Sequence, residues 1–246
     1  MHAFWIALQF LTRLPAPMLR EYTPQDRGRS VLYYPLVGLV IGALLVLVHT
    51  ALAASDAGVR AALLLTVWVL ITGGLHLDGL ADSADAWLGG HGDRGRTLDI
   101  LHDPRSGPAA IMLVVLVLIV KFAALEVLVR QHAWPALLLA PVLGRAAMVG
   151  LFLTTAYVRA HGLGSAQAQH LPRRAAVGML AVCAVGVLAA LLGLGLLLLG
   201  VTVAGVYLLR RLMLKRIGGI TGDTLGATCE IIEALILVTW VLAGLA

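Results

Sequence analysis

The chain is predicted to be all-α: a polytopic membrane bundle of about seven crossings (range six to eight) with a short interfacial helix in front. Composition and segment length carry that prediction. Of 246 residues, 60% are hydrophobic and 13% charged, at a mean hydropathy of +0.95. A water-soluble domain of this length cannot hide so much apolar surface. Several stretches also approach the roughly 20 apolar residues needed to cross a hydrocarbon core about 30 Å thick.

Taken in order, "MHAFWIALQFLTRLP" is apolar but short, interrupted by Gln9 and Arg13 and closed by Pro15. It lacks the basic start and small-residue cleavage site of a signal peptide, so it reads as an interfacial helix. Spans are expected near 31–53, 59–76, 108–129, 135–157, 175–193, 195–214 and 225–245. The fifth and sixth meet at "LLGLGLLLLG", where glycines suit a tight turn. No polar stretch is long enough to fold alone, so residues 1–246 form one membrane domain.

Charge placement supports the same spans. Lys and Arg number 18 against 13 acids, a balance that elsewhere suggests nucleic acid. If Arg13, Arg20, Arg27 and Arg29 are cytoplasmic, alternation puts Arg94, Arg96, Arg105, Arg159, Arg173, Arg174, Arg210, Arg211, Lys215 and Arg216 there too. The other side receives only Arg60 and Arg130, while Lys121 and Arg145 fall within spans. Fourteen against two is a positive-inside pattern, so the basic balance is topological and no nucleic-acid partner is expected. Cys183 and Cys229 lie in or beside apolar segments; neither a disulfide framework nor a zinc spacing is present, and both read as packing residues.

The chemistry concentrates on one side. In "GGLHLDGLADSADAWLGGHGDRG", Asp78, Asp82 and Asp85 are spaced four and three apart, hence on one helical face. Three like charges at a membrane border are costly unless a cation sits among them, and hard oxygen donors suit Mg²⁺ or Mn²⁺. Helix capping or pairing with nearby arginines is the competing reading. A second segment, "GGITGDTLGATCEIIEA", also opens on a glycine pair and sets Asp223, Glu230 and Glu233 on one face. Metal ligation is expected for Asp223 and Glu230, with Glu233 a further candidate; the competing reading pairs the glutamates with Arg145 or Lys121. The two segments are read either as halves of a pseudo-symmetric site or as a chance similarity.

Two acidic clusters around Mg²⁺ suit a diphosphate: the metal neutralises charge as a phosphoanhydride breaks, and a free carboxylate, Asp82 or Asp78, takes a hydroxyl proton. In "LDILHDPRSGP", Arg105 beside Ser106 and Gly107 looks like an anion-binding turn, the alternative being a plain positive-inside residue. His76 and His102 flank the acids, Arg145 is buried, and Arg13 precedes Pro15; all four are candidate substrate contacts. Trp5, Phe10, Tyr33 and Tyr34 are read as an interfacial aromatic belt. A pump or channel would spread its ionisable groups along a path through the bilayer, so one-sided clustering argues against transport.

"FLTRLPAP", "YYPLVGLVIG", "GLHLDGLADSADAW", "LHDPRSGP" and "GGITGDTLGATCEIIE" occur in this order and resemble the cobalamin synthase family, also called adenosylcobinamide-GDP ribazoletransferases. The resemblance runs from about residue 4 to the last span. Ser83 and Ala86 stand where members often carry Thr and Gly, which leaves every acid in place. Membership implies a multi-pass enzyme of the bacterial cytoplasmic (inner) membrane with its site facing the cytoplasm. It would join adenosylcobinamide-GDP to α-ribazole or its 5'-phosphate with Mg²⁺ and release GMP. Metal binding then transfers to Asp78, Asp82, Asp85, Asp223 and Glu230. A homo-oligomer and contacts with other corrinoid-pathway enzymes are the further partners considered. A CDP-alcohol phosphatidyltransferase is the nearest alternative, but "DGLAD" lacks the "AR" that usually follows; a cation or metabolite transporter is the other.

Overall fold

The computed structural model describes residues 2–17, 21–103, 105–159, 162 and 164–244; Arg20 lies outside the described residues. Among the described residues there are eleven α-helices and no strand: α1 His2–Leu11, α2 Pro24–Ser30, α3 Tyr34–Ala51, α4 Ala57–Thr72, α5 Leu75–Gly89, α6 Arg94–Ile100, α7 Pro108–Arg130, α8 Trp134–Thr154, α9 Ser165–Gln169, α10 Arg173–Ile217 and α11 Gly222–Leu242. Starts are encoded locally. Thr23 and Asp26 form a capping box ahead of Pro24, Asp56 accepts the amides of Gly58 and Val59, and Thr221 with Thr224 closes the first turn of α11.

Five segments are long and apolar enough to cross a membrane: Pro24–Ala51, α7, α8, α10 and α11. The α4–α5 pair makes a sixth only if taken together, because it is bent by 88°. The bend has a simple cause. Gly73 and Gly74 take φ of +63° and +70°, the left-handed region, and end α4 at Thr72. The helix of the expected span 59–76 therefore breaks after Thr72, and His76 belongs to α5, which turns aside. At 45 residues α10 would extend about 67 Å if straight, over twice the hydrocarbon core. It is not straight: Leu192 has φ 45° and ψ −115°, and a Cβ on Gly195 would lie 2.7 Å from the Val187 carbonyl oxygen. An unbroken helix separates those residues by about 12 Å. The chain doubles back, so α10 supplies two crossings, with the turn inside "LLGLGLLLLG" as expected. The ten residues of α1 are too short to cross and pack against α2 and α3.

α8 and α11 form the centre, with 78% and 67% of their apolar windows buried; α7 and α10, at 22% each, lie outside. Gly38 and Gly42 of α3 face the backbone of α8 at Pro141 and Leu138, so close that a Cβ at either would come within 2.6 Å of it. α5 rests on α11 and α7, which fixes the acidic helix to one end of the bundle.

Candidate active site

α5 and α11 cross with Gly79 against the backbone of Asp223 and His76 against Gly226; a Cβ on Gly79 would lie 2.7 Å from the Asp223 carbonyl oxygen. The two glycine-led acidic segments thus face each other. A third strand of chain joins them. After α8, Tyr157 pairs in parallel with Ile220: the Ile220 amide donates to Ala156 O and the Val158 amide to Ile220 O, both at 2.9 Å. That pairing sets Arg159 beside Asp223, Nη1 to Oδ2 at 2.9 Å, with a second donation to Leu101 O at 3.0 Å. Thr221 Oγ1 donates to the same Asp223 oxygen at 3.3 Å.

The three aspartates of α5 divide. Asp85 accepts the amides of Gly107 and Ala110, the latter at 2.9 Å, so both its oxygens secure the start of α7. This is the capping alternative, and the structure realises it for Asp85. Asp78 and Asp82 remain turned to the cluster. Burial, then Asp78 and Asp223, push the Asp82 carboxyl up to about 6. Such crowding is relieved by a cation. Among the described residues no group of three or more His, Cys, Asp or Glu side chains forms a ready metal cage. A cavity of about 90 Å³ opens between His76, Asp78 and Asp223, with Tyr34 and Phe152 in its wall. A neighbouring space of about 240 Å³ adds Tyr157, Arg159 and Arg173.

Behind this surface lies a buried charge network. Lys121 Nζ donates to Glu230 Oε2 and Glu233 Oε2, each at 2.5 Å, and sits 4.7 Å from the Trp68 ring. Arg145 donates to Glu233 Oε1 and meets His76 Nδ1 at 3.2 Å. All the charges are at least 94% buried. Two cations meet two carboxylates, so the set closes electrically without metal.

The sequence model of the family described as cobalamin-5-phosphate synthase matches residues 3–241. Relatives named adenosylcobinamide-GDP ribazoletransferase are 58% identical in Pseudomonas entomophila (96% of both chains) and 55% identical in Pseudomonas syringae pv. syringae (96% and 97%). The chain belongs to the cobalamin-5-phosphate synthase family. No solved structure matches it. Membership sets aside the phosphatidyltransferase and transporter alternatives.

In this cobalamin-5-phosphate synthase family member, the expected site residues are distributed unevenly. Asp78, Asp82, Asp223 and His76 come together. Glu230 and Glu233, expected as ligands, are committed to Lys121 and Arg145 about two and three turns beyond Asp223, because an unpaired carboxylate there is costly. Arg145 is a buried partner of Glu233 and His76 rather than a direct substrate contact. Arg105 is clasped by Asp103 at 2.8–3.0 Å with its side chain 87% exposed, so the structure ties it to its own turn and not to the acids. His102 is exposed, with Nδ1 at 2.8 Å from Leu98 O. Arg13 lies over the α4–α5 bend, its guanidinium against Gly73. Tyr34, read as a belt residue, is fully buried between Phe10, on which it stacks, and Phe152, which it meets edge-on, so it belongs to the core. Arg159 is the candidate residue that the sequence concealed: it looks like any loop cation until Tyr157 pairs with Ile220.

Proposed function

We propose that the chain is an adenosylcobinamide-GDP ribazoletransferase of cobalamin synthesis, with adenosylcobinamide-GDP and α-ribazole or its 5'-phosphate as substrates. The observation that carries this reading is the convergence of Asp78, Asp82, Asp223 and Arg159 at one end of the bundle, in a member of this family. The positive-inside count of the loops supports a cytoplasmic placement of that end in a bacterial inner membrane.

Asp78 and Asp223 would hold Mg²⁺ beside Asp82; the ion when bound supplies charge neutralisation to the diphosphate. Arg159 adds a fixed positive charge beside Asp223 for the same group. The ribazole hydroxyl oxygen forms a new bond to the phosphorus on the cobinamide side. The phosphoanhydride P–O bond breaks, and GMP leaves with the electron pair. The hydroxyl proton passes to a carboxylate left free of metal; Asp82, which burial and the neighbouring Asp78 and Asp223 bias toward the protonated form, is the one assigned. The wall of Tyr34 and Phe152 keeps bulk water from one side of the cavity.

The test is product mass. Purified protein in lipid, given both substrates and Mg²⁺, should form the joined corrinoid, and chelation should stop it. Formation that continues unchanged in excess chelator would remove the acidic site from the mechanism.

A further inference from the structure

We propose that His76 is fixed as the tautomer carrying its proton on Nε2, and that this N–H donates to a diphosphate oxygen of the bound substrate. The inference rests on the transferase reading for the ligand's identity, but the tautomer itself follows from geometry. Arg145 Nη2 stands 3.2 Å from His76 Nδ1. A guanidinium only donates, so Nδ1 must present its lone pair, and the ring proton of the neutral imidazole is left to Nε2. Arg145 has no freedom to turn away. It is fully buried, its Nη1 is tied to Glu233, and Glu233 is held in turn by Lys121, which also binds Glu230. The charges of that network balance without any charge on His76.

The other face of the ring is unfinished. His76 is 1% exposed, and among the described residues Nε2 has no hydrogen-bond partner. An unpaired buried N–H is costly, and a protein tolerates that cost where a ligand completes the bond. His76 is among the residues lining the cavity that also presents Asp78 and Asp223. The acceptors that arrive beside cation-binding carboxylates are phosphate oxygens. Arg145 acts through His76 as a positioning residue, which gives the intramembrane network a task in the chemistry: it aims one donor.

Two measurements test this on the lipid-reconstituted full chain. In protein labelled with ¹⁵N-histidine, nitrogen–proton correlation spectra should show His76 with a protonated Nε2 and an unprotonated Nδ1. The assignment comes from the signal lost in His76→Gln. A proton on Nδ1, or on both nitrogens, overturns the proposal. Kinetics supply the second arm. Gln sets an amide N–H at the reach of Nε2, whereas Asn reaches only as far as Nδ1. His76→Gln should retain kcat within about tenfold, while His76→Asn should lose about 10²-fold or more, the scale of a removed transition-state donor. Equal losses in both variants overturn the donor role. A wild type that makes no product overturns the transferase reading and leaves the tautomer result to be judged by the spectra alone.

Discussion

The buried network offers a prediction whose size can be worked from the contacts. Lys121 is shared by Glu230 and Glu233, and Glu233 is shared by Lys121 and Arg145, so two positive and two negative groups stand together out of water. Lys121→Met leaves a net charge of −1 in that space, and Glu230→Gln leaves +1. Either single change strands a charge and is expected to destabilise the fold by about 3–5 kcal/mol. The double variant restores neutrality, since the Arg145–Glu233 pair remains intact. It should be no less stable than either single variant, which makes the coupling energy at least about 3 kcal/mol. Reversible unfolding by SDS in mixed micelles is the assay, followed by tryptophan fluorescence; Trp68, 4.7 Å from the Lys121 ammonium, is a local reporter. If the double variant loses the sum of the two single costs, the groups do not form one balanced set and the reasoning fails.

Asp85→Ala should lower stability by about 1–2 kcal/mol through loss of the α7 cap, with activity falling less than in Asp82→Asn; a greater loss than Asp82→Asn would make Asp85 a ligand. Without cation, the folded chain holds a proton on Asp82 up to about pH 6 against 3.8 for the free side chain, so stability should fall as pH rises between those values and then level off. Mg²⁺ at a hundred times its Kd should restore about 2.7 kcal/mol above that window and much less below it, by thermal unfolding, and the pH dependence of this gain should shrink in Asp82→Asn. Arg105→Ala should leave turnover within about threefold, because its partner is Asp103 at the surface, whereas Arg159→Ala should cost about tenfold or more. The reverse order would return Arg105 to the site.

The spans were legible because apolar length and loop charge are local properties, and the α10 turn because glycines mark it in the sequence. Face-sharing by Asp78, Asp82 and Asp85 was legible for the same reason. Their division of labour was not: it depends on where the amides of Gly107 and Ala110 fall, residues more than twenty positions away. Glu230 and Glu233 carry the same side-chain chemistry as ligands and as ion-pair partners, and only the depth of Lys121 and Arg145 separates those roles. The 88° bend was half visible as a glycine pair; its consequence, an acidic helix laid across the bundle end, needs the packing of α5 on α11.

The central claim is that the Asp78, Asp82 and Asp223 cluster performs phosphoryl transfer to a ribazole hydroxyl. The most direct measurement is GMP release by the purified, lipid-reconstituted chain given adenosylcobinamide-GDP, with and without α-ribazole 5'-phosphate and Mg²⁺, beside Asp82→Asn. The account expects release that requires both additions and falls at least about 10²-fold in the variant. Release of GMP by the Asp82→Asn chain at the wild-type rate would contradict it.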